Sequence, residues 1–340
     1  MVGILLAAFS FAAALMGAGF ASGQETVTFF AVFSQYGVVG IVIASVLIGL
    51  FGGVVSEYAL RFDCDYNEIV SRLFPCRVCR AVDVVTFSFS ICTIAVMCAC
   101  FGELCETFLG LGRAAGAFFL AVISATALLT GKEGSMKLNA LLGIIIFIFA
   151  AALCLYLLGY REHQTFNAVD AAASGVVYAG YNLISAGAVL AAGRGFLRNR
   201  GDGYLMGVAS GLMVLILLTL MWGIISVYYG KIDLGELPMI TLAMRESHTL
   251  AVIYAAVMGA AVFTTALSNG LCASQYISNI AGRKYAVLIC MALGFSMSGA
   301  GFSTLVATVY KYSGMIGMII ASVVVYRAVK RMTEYEKRRF

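Results

Sequence analysis

Residues 17–25 read GAGFASGQE and interrupt a long apolar stretch that begins with VGILLAAFSFAAALM at residues 2–16. Backbone N–H and C=O groups left unpaired in lipid are costly, so a non-helical segment needs other partners there. Glycine lets the chain leave a helix at low cost and brings bare backbone close to a ligand. The stretch therefore predicts a broken helix whose freed carbonyls suit Na⁺ or an ammonium group and whose freed N–H groups suit a carboxylate.

Composition indicates the environment of that helix. The 340 residues are 62% hydrophobic and 11% charged, against roughly 45–50% apolar residues in soluble domains. Apolar runs long enough for a hydrocarbon core of about 30 Å, separated by short polar segments, are typical of helical membrane proteins. We therefore expect an all-α integral membrane protein. The net charge is +5, and the basic residues lie in short loops. Membrane topology explains basic residues at such positions, so we expect no nucleic-acid partner.

Apolar runs with polar boundaries divide the chain into ten candidate spans, numbered 1 to 10 in chain order. Their ranges are 3–34, 38–60, 81–108, 114–130, 138–159, 171–192, 204–229, 249–280, 285–300 and 302–326. With a cytoplasmic N-terminus, 17 of the 22 lysine and arginine residues fall in cytoplasmic segments and 4 in outer loops. Because basic residues are retained on the cytoplasmic side, this asymmetry predicts both termini in the cytoplasm, in a bacterial plasma membrane.

Span 6 has irregularities like those of span 1. It reads AAASGVVYAGYNLISAGAVLAAG at residues 171–193, and its centre, YAGYNLIS, carries glycine and polar residues. Matching irregularities in two halves of opposite topology are typical of inverted-repeat transporters. We therefore expect one transmembrane domain over 1–340, with repeats at about 1–160 and 165–326, discontinuous helices 1 and 6, and a basic tail at 327–340 against anionic lipid.

Other glycines recur at four-residue spacing, where small residues let helices approach closely. They are Gly49 and Gly53 on span 2 and Gly203, Gly207 and Gly211 on span 7. This spacing predicts close packing of helices and no role in binding.

The ten-span plan, the two breaks and the GAGFASGQE segment resemble the amino acid–polyamine–organocation superfamily with the LeuT-type fold, and within it the YkvI-like bacterial membrane proteins. The resemblance covers nearly the whole chain. It implies a sodium site made by the carbonyls of Gly17 and Phe20 and the hydroxyls of Thr264 and Thr265, with Ser268 one turn further on. Such hydroxyls also bond to carbonyls of their own helix or bridge helices, and that structural alternative stays open.

The same resemblance implies solute contacts on both broken spans. The expected solute-binding residues are Gly19, Ala21, Ser22 and Gly23 on span 1 and Tyr178, Gly180, Tyr181, Asn182 and Ser185 on span 6. Packing between helices is the alternative role for the two tyrosines.

Ionisable residues occur where lipid is expected. Glu25 follows the break in span 1, and Lys311 lies in span 10, where an unpaired charge costs at least about 2.5 kcal/mol. In the fold these segments line the outer vestibule, so we expect Glu25 and Lys311 to form a gate pair or a titratable coupling site. A buried structural pair is the alternative. Glu103, near the outer end of span 3, is a gate candidate or a solvated helix end.

Cys76 and Cys79 form one CxxC motif in the loop before span 3. A zinc site would need a second pair or nearby histidines, and the two histidines, His163 and His248, lie in other loops. Redox or incidental use is therefore favoured over metal binding. We expect no cofactor, with Na⁺ as a candidate coupling ion.

The predicted function is secondary active transport of a small amino acid or related zwitterion, coupled to Na⁺ or H⁺. The chain has no GxSxG segment, no nucleotide-binding GxxxxGK[ST] segment and no histidine in a span, so we expect neither an enzyme nor an ATP-driven pump. The expected partners are the solute and membrane lipid, with no obligate protein partner. A membrane receptor or nutrient sensor that binds the solute without moving it is the alternative.

Overall fold

The fold is seen in a computed structural model that describes residues 1–15, 17–64, 66–130, 148, 151–152 and 167–337. Within these residues the architecture is all-helical. The α-helices are α1 (Val2–Leu15), α2 (Ala18–Ser22), α3 (Gln24–Phe29), α4 (Gly37–Phe62), α5 (Tyr66–Leu73), α6 (Cys76–Leu109), α7 (Arg113–Thr130), α8 (Ala168–Ala192), α9 (Asp202–Tyr228), α10 (Pro238–Glu246), α11 (His248–Ala281), α12 (Arg283–Met297), α13 (Phe302–Leu305) and α14 (Lys311–Lys337). Short 3₁₀ turns occupy Ala31–Tyr36, Gly193–Phe196 and Ser298–Ala300, and a π-helical turn occupies Val306–Tyr310.

Many of these helices have the length and apolar composition that a membrane crossing needs. In the described part of the chain, six segments meet both criteria: Ala31–Phe62, Cys76–Leu109, Arg113–Thr130, Asp202–Tyr228, His248–Ser278 and Phe302–Lys337. Predicted span 5, at 138–159, lies outside the described residues apart from 148, 151 and 152. The protein is therefore a multi-pass membrane protein, and the count of ten spans stays a prediction.

Turn residues set both ends of α6, which has 34 residues. Pro75 lies immediately before α6, and its carbonyl accepts hydrogen bonds from the N–H groups of Val78 (2.8 Å) and Cys79 (3.1 Å). Proline suits a helix start because its missing N–H is not needed there. At the other end, Gly110 takes a left-handed φ of 65°, which glycine adopts without steric cost.

Span 1 is divided into three short helices. α1 ends at Leu15, α2 covers Ala18–Ser22 and α3 covers Gln24–Phe29. Gly23 separates α2 from α3 with a φ of 84°, a left-handed conformation that most side chains adopt only with strain. The GAGFASGQE segment therefore lies at the point where the helix axis is interrupted.

Span 6, by contrast, is one helix, so the expected break at YAGYNLIS is wrong in this structure. α8 runs without interruption from Ala168 to Ala192. Gly180 lies against the backbone carbonyl of Gly314 on α14, where a β-carbon would overlap it. The Asn182 side-chain amide donates to the Tyr178 carbonyl one turn earlier at 3.0 Å, which is compatible with an intact helix. The glycine at this position serves close packing and does not release the backbone.

The helices form two packed groups. α1, α4, α8 and α9, which correspond to spans 1, 2, 6 and 7, contact one another, and α14 packs on α8 and α4. α6, α7, α11 and α12, which correspond to spans 3, 4, 8 and 9, make the second group. The small helix α2 contacts α6 and α11 of the second group, so the middle of span 1 lies where the groups meet.

The close packing predicted for the glycines of spans 2 and 7 is confirmed, and the structure shows that these two spans pack on each other. A β-carbon on Gly49 would lie 2.9 Å from the Gly207 carbonyl oxygen, and one on Gly211 would lie 2.9 Å from the Ser45 carbonyl oxygen. Gly207 in turn lies against the backbone of Gly53. Backbones this close leave no room for larger side chains, which fixes α4 against α9.

The predicted tail, 327–340, is helical as far as it is described. α14 continues to Lys337, and Arg327 and Arg331 each donate to a carbonyl at the end of α5, that of Leu73 and that of Arg72, both at 2.6 Å. Glu336 pairs with Arg61 at 2.6 Å, so residues 327–337 pack on the protein, and 338–340 lie outside the described residues.

Candidate functional site

The Glu25 side chain is the centre of the candidate site. It lies in the first turn of α3, two residues after Gly23, and is 3% exposed. The Tyr181 hydroxyl on α8 donates to Glu25 Oε2 at 2.5 Å. This contact joins the interrupted span 1 to the continuous span 6 through a buried carboxyl group.

Gly19 provides the space for that carboxyl group. A β-carbon on Gly19 would overlap Glu25 Oε1, so the carboxyl group lies directly over the backbone of α2. Glycine at this position therefore allows a close approach of the kind that the sequence predicted for a ligand. The group that approaches in this structure belongs to the protein itself.

Aromatic rings enclose the Glu25 carboxyl group on its α8 side. Tyr181 stacks on Tyr310 of the π-helical turn, with ring centroids 4.5 Å apart and an interplanar angle of 15°. Tyr178 meets Tyr181 edge-on at 5.3 Å, and Phe29 stacks on Tyr181 at 5.6 Å. Tyr178, Tyr181 and Tyr310 are each at most 4% exposed. The carboxyl group thus lies beside an apolar, aromatic enclosure.

No cationic side chain balances Glu25 among the residues that the structure describes. The ion pairs found there involve Glu57, Glu68, Glu103, Glu106 and Glu336. The expected pair of Glu25 with Lys311 is wrong in this structure, because Lys311 is exposed. On span 10 the preceding residue, Tyr310, faces the interior of the protein. Lys311 lies one residue further along the helix and therefore on its exposed face. An ionised Glu25 would therefore need a bound cation or would take up a proton.

The residues on either side of Glu25 also carry buried polar atoms. In the described structure Gln24 Oε1 and Thr26 Oγ1 have no hydrogen-bond partner. Native proteins pair nearly all such atoms, so these two oxygens are open to a polar partner. Ser22 is already satisfied, because its hydroxyl donates to the Gly19 carbonyl at 2.7 Å and accepts from the Gln24 N–H at 3.1 Å. Ser22 therefore supports the turn and is not free for a solute.

The residues expected to hold Na⁺ are brought partly together. A β-carbon on Gly17 would lie 3.5 Å from Thr265 Oγ1, so the backbone of span 1 meets span 8 at this position. The carbonyls of Gly17 and Phe20 each accept one backbone N–H, from Ala21 (3.1 Å) and Gly23 (2.9 Å), which leaves each a second lone pair. The hydroxyls of Thr264 and Ser268 donate to carbonyls of their own helix, those of Ala261 and Thr264. Of the three predicted hydroxyls, Thr265 is thus the one that the structure places against Gly17.

The predicted residues of span 6 separate into two kinds. Tyr178 and Tyr181 face Glu25, whereas Gly180 packs on α14 and the Asn182 amide bonds within α8. Ser185 lies within α8, and its side chain lies outside the described part.

Several site residues were not expected from sequence. Tyr310, Phe29 and Phe89 complete the aromatic enclosure, with Phe89 of α6 lying 6.2 Å from Tyr310 between ring centroids. The Tyr254 hydroxyl on α11 donates to the Ala21 carbonyl at 2.5 Å and so fixes α2 against the second helix group. A tyrosine in mid-span is a detectable signal, because its hydroxyl needs a partner away from water.

Glu103 lies near the C-terminal end of α6, beside the start of α7. It pairs with Arg113 at 3.0 Å, and Glu106 shares the same guanidinium group. Both carboxylates therefore have a structural partner, and the gate role of Glu103 stays a prediction. Elsewhere, Cys79 is directed at the carbonyls of Val70 and Phe74, and Cys76 is exposed. Within the described ranges, no three His, Cys, Asp or Glu side chains group as metal ligands do.

Comparisons with known proteins agree with this architecture. No protein-family model matches the chain. It is 24% identical over 325 residues to the uncharacterized membrane protein YkvI of Bacillus subtilis, covering 92% of each chain. It is 23% identical over 324 residues to the B. subtilis protein YyaD, covering 90% of this chain and 91% of that one.

Solved structures show the fold. The inward-facing conformation of Mhp1 matches with a TM-score of 0.64 at 12% identity, covering 95% of this chain and 75% of that chain. A mutant form of the manganese transporter of Eremococcus coleocola matches with a TM-score of 0.63 at 12% identity, covering 93% of this chain and 77% of that chain. The chain therefore has the LeuT-type fold of these transporters.

Proposed function

We propose that this protein is a secondary transporter of a small amino acid or a related zwitterionic solute, working by alternating access in a bacterial plasma membrane. Both termini lie in the cytoplasm in this proposal, and the ten spans form two inverted repeats of five. The fold supports transport as the activity, because the solved structures that share it are transporters. The substrate class is argued from the residues of this chain.

The buried Glu25 carboxyl group carries the proposal. It adjoins an interrupted helix, has no cationic partner among the described residues and is flanked in sequence by two unpaired buried oxygens. A purely structural carboxyl group in low dielectric is normally paired with a cation. A site that must accept and release a cation has a reason to leave that partner out.

The ammonium group of the solute meets this need. It would pair with Glu25 and lie against the faces of the surrounding tyrosine rings, which attract cations. The solute carboxylate would accept hydrogen bonds from N–H groups at the interrupted backbone of span 1. Glu25, Tyr178 and Tyr181 then act as binding residues, and Gly19, Ala21 and Gly23 shape the backbone around the solute.

The coupling ion is Na⁺ or H⁺ in this proposal, and the two use different residues. Sodium would be held near Gly17, Phe20 and Thr265, where carbonyl and hydroxyl oxygens suit a hard cation. A proton would instead be carried by Glu25 in exchange for the solute, because the proton and the ammonium group compete for one carboxyl group, so an outward proton gradient would drive uptake. Glu25 then carries no uncompensated charge when one helix group moves against the other.

Uptake into proteoliposomes tests the proposal. Radiolabelled amino acids are added under an inward Na⁺ gradient, a proton gradient in either direction or no gradient, with the wild type, Glu25→Gln and Glu246→Gln. Glu246 is exposed at the end of α10 and makes a matched control for the loss of one carboxylate. We expect the wild type and Glu246→Gln to accumulate solute under one gradient, and Glu25→Gln to lose uptake at least about tenfold, because a charge-assisted bond is worth about 1.5–3 kcal/mol.

Two results would contradict the proposal. Saturable binding without accumulation under any gradient would favour a receptor over a transporter. Wild-type uptake and unchanged gradient dependence in Glu25→Gln would remove the carboxyl group from the mechanism.

A further inference from the structure

A second polar site lies near the C-terminal end of α14, where this helix meets α5. A cavity of about 770 Å³ opens there beside the last turns of α14. Four basic side chains and one acidic side chain line it together with aromatic rings, and those that matter are Arg72, Arg327, Lys330, Arg331, Glu334 and Tyr326. The excess of basic groups gives the cavity a positive potential that attracts anions.

Two of these arginines are held in place by backbone. Arg327 donates to the Leu73 carbonyl and Arg331 to the Arg72 carbonyl, both at 2.6 Å. These carbonyls end α5 and have no acceptor role within that helix. Arginine carries five N–H donors, so each guanidinium group keeps donors for a phosphate after this bond is made. The positive groups are thus positioned before any ligand arrives.

An apolar groove adjoins the basic cavity. The groove has a volume of about 540 Å³ and runs between α4, α8 and α14, where its walls include Leu50, Phe51 and Met318. Tyr326 and Lys330 line both the groove and the basic cavity. The tyrosine is 68% exposed, as expected of an amphipathic ring at the boundary of the hydrocarbon region. The apolar groove is therefore continuous with the basic cavity.

The adjoining basic cavity distinguishes this groove from a second apolar groove on the protein. An apolar groove of about 490 Å³ between α4 and α9 is lined by residues such as Val46 and Val208, and no basic residue lines it. That groove can take a lipid chain but has nothing to select a headgroup. The α4, α8 and α14 groove offers both parts in one place.

We propose that the basic cavity and the adjoining groove together form a binding site for an anionic phospholipid. The phosphodiester lies among Arg72, Lys330 and Arg331, and one acyl chain lies along the groove. Glu334 accepts hydrogen bonds from headgroup hydroxyls, which favours a singly charged headgroup that carries hydroxyls, such as phosphatidylglycerol. Because Leu183 of α8 lines the groove, the acyl chain contacts the helix that carries Tyr181.

Native mass spectrometry of the detergent-purified protein tests this site. The probes are phosphatidylglycerol, phosphatidylcholine and inorganic phosphate, and the variants are Lys330→Gln, Ser322→Leu and two controls. Lys337→Gln removes the same charge from the same helix outside the cavity, and Val46→Leu enlarges a side chain in the groove without basic residues. Lys330 and Ser322 are exposed, so both variants should fold, and their melting temperatures in detergent confirm it.

We expect one phosphatidylglycerol to bind at least about tenfold more tightly than phosphatidylcholine, since two or more basic groups contribute about fivefold each. Lys330→Gln should lower that affinity about fivefold, Ser322→Leu should lower it by blocking the chain, and both controls should match the wild type. Equal affinity for the two lipids would overturn the proposal, as would equal loss in Lys330→Gln and Lys337→Gln. Competition by inorganic phosphate with no effect of Ser322→Leu would also overturn it, and would identify a free-phosphate site.

Discussion

Span 1 and span 6 approach each other at Glu25 and carry similar small and polar residues, but they use their glycines differently. In span 1, Gly23 adopts a φ of 84° and Gly19 makes room for the Glu25 carboxyl group. In span 6, Gly180 remains helical and lets α8 approach α14. The site is therefore asymmetric, with backbone exposed on one side and side chains presented on the other.

This asymmetry has a physical origin in what each glycine contacts. A left-handed glycine ends a helix because most other residues are strained there, whereas a helical glycine against a neighbouring backbone strengthens helix packing. Span 1 consequently supplies peptide groups that can bind a solute. Span 6 supplies the aromatic rings and the Tyr181 hydroxyl that close the enclosure.

The largest effect should come from Gly19→Ala. The added methyl group overlaps the Glu25 carboxyl group and displaces it from Tyr181, and misplacing such a group by about 1 Å costs about 100-fold in rate. Proteoliposome uptake measures the loss. Gly112→Ala is the control, because nothing lies within 4 Å of the position its methyl group takes. Wild-type uptake in Gly19→Ala would show that the carboxyl position does not matter.

Tyr181→Phe should have the next largest effect. It removes the hydroxyl that donates to Glu25 at 2.5 Å and keeps the ring stacked on Tyr310, and a hydrogen bond to a carboxylate is worth about 1.5–3 kcal/mol. We expect solute affinity to fall about tenfold, as measured by isothermal titration calorimetry with the transported solute. Tyr285→Phe, in an exposed ring of α12, is the control. Unchanged affinity would reduce Tyr181 to a packing role.

Gly180→Ala tests the opposite use of glycine and should act on stability. Its methyl group meets the Gly314 carbonyl, and overpacking of this kind costs about 1–3 kcal/mol. Thermal unfolding in detergent should show a lower melting temperature. Gly259→Ala is the matched change in α11, where the methyl group meets only the edge of Phe101 at 3.8 Å and alanine favours the helix. Equal melting temperatures would contradict the close packing assigned to Gly180.

The sequence allowed much of the architecture to be predicted, because long apolar runs and glycine spacing report on local properties. The interruption near Gly23 and the four-residue glycine spacing that marks α4 and α9 for close packing are properties of residues within one or two helical turns. Whether span 6 is broken or continuous could not be predicted in this way, because it depends on packing against Gly314, more than a hundred residues away in the chain. From the sequence alone, a central glycine is compatible with a helix break and with close helix packing.

The site shows the same limit. Glu25 is conspicuous in an apolar sequence, but its neighbour on span 10 depends on which face of that helix turns inward. A π-helical turn, Val306–Tyr310, precedes Lys311, and it changes the rotation of the residues that follow. Tyr310 therefore faces the site where Lys311 was expected. Local pattern identifies the charged residue, and only tertiary packing identifies its partner.

Labelling by a hydrophobic carbodiimide is the sharpest test of whether Glu25 is a buried carboxyl group that binds the solute, because this reagent modifies protonated carboxyl groups in apolar surroundings. Mass spectrometry would quantify modification of Glu25 with and without the transported solute. Glu57, which is buried but paired with Arg61 at 2.7 Å, serves as the internal control. We expect Glu25 to be labelled in the empty protein and protected by saturating solute, while labelling of Glu57 does not change. Equal labelling of Glu25 with and without a solute that is transported would contradict it.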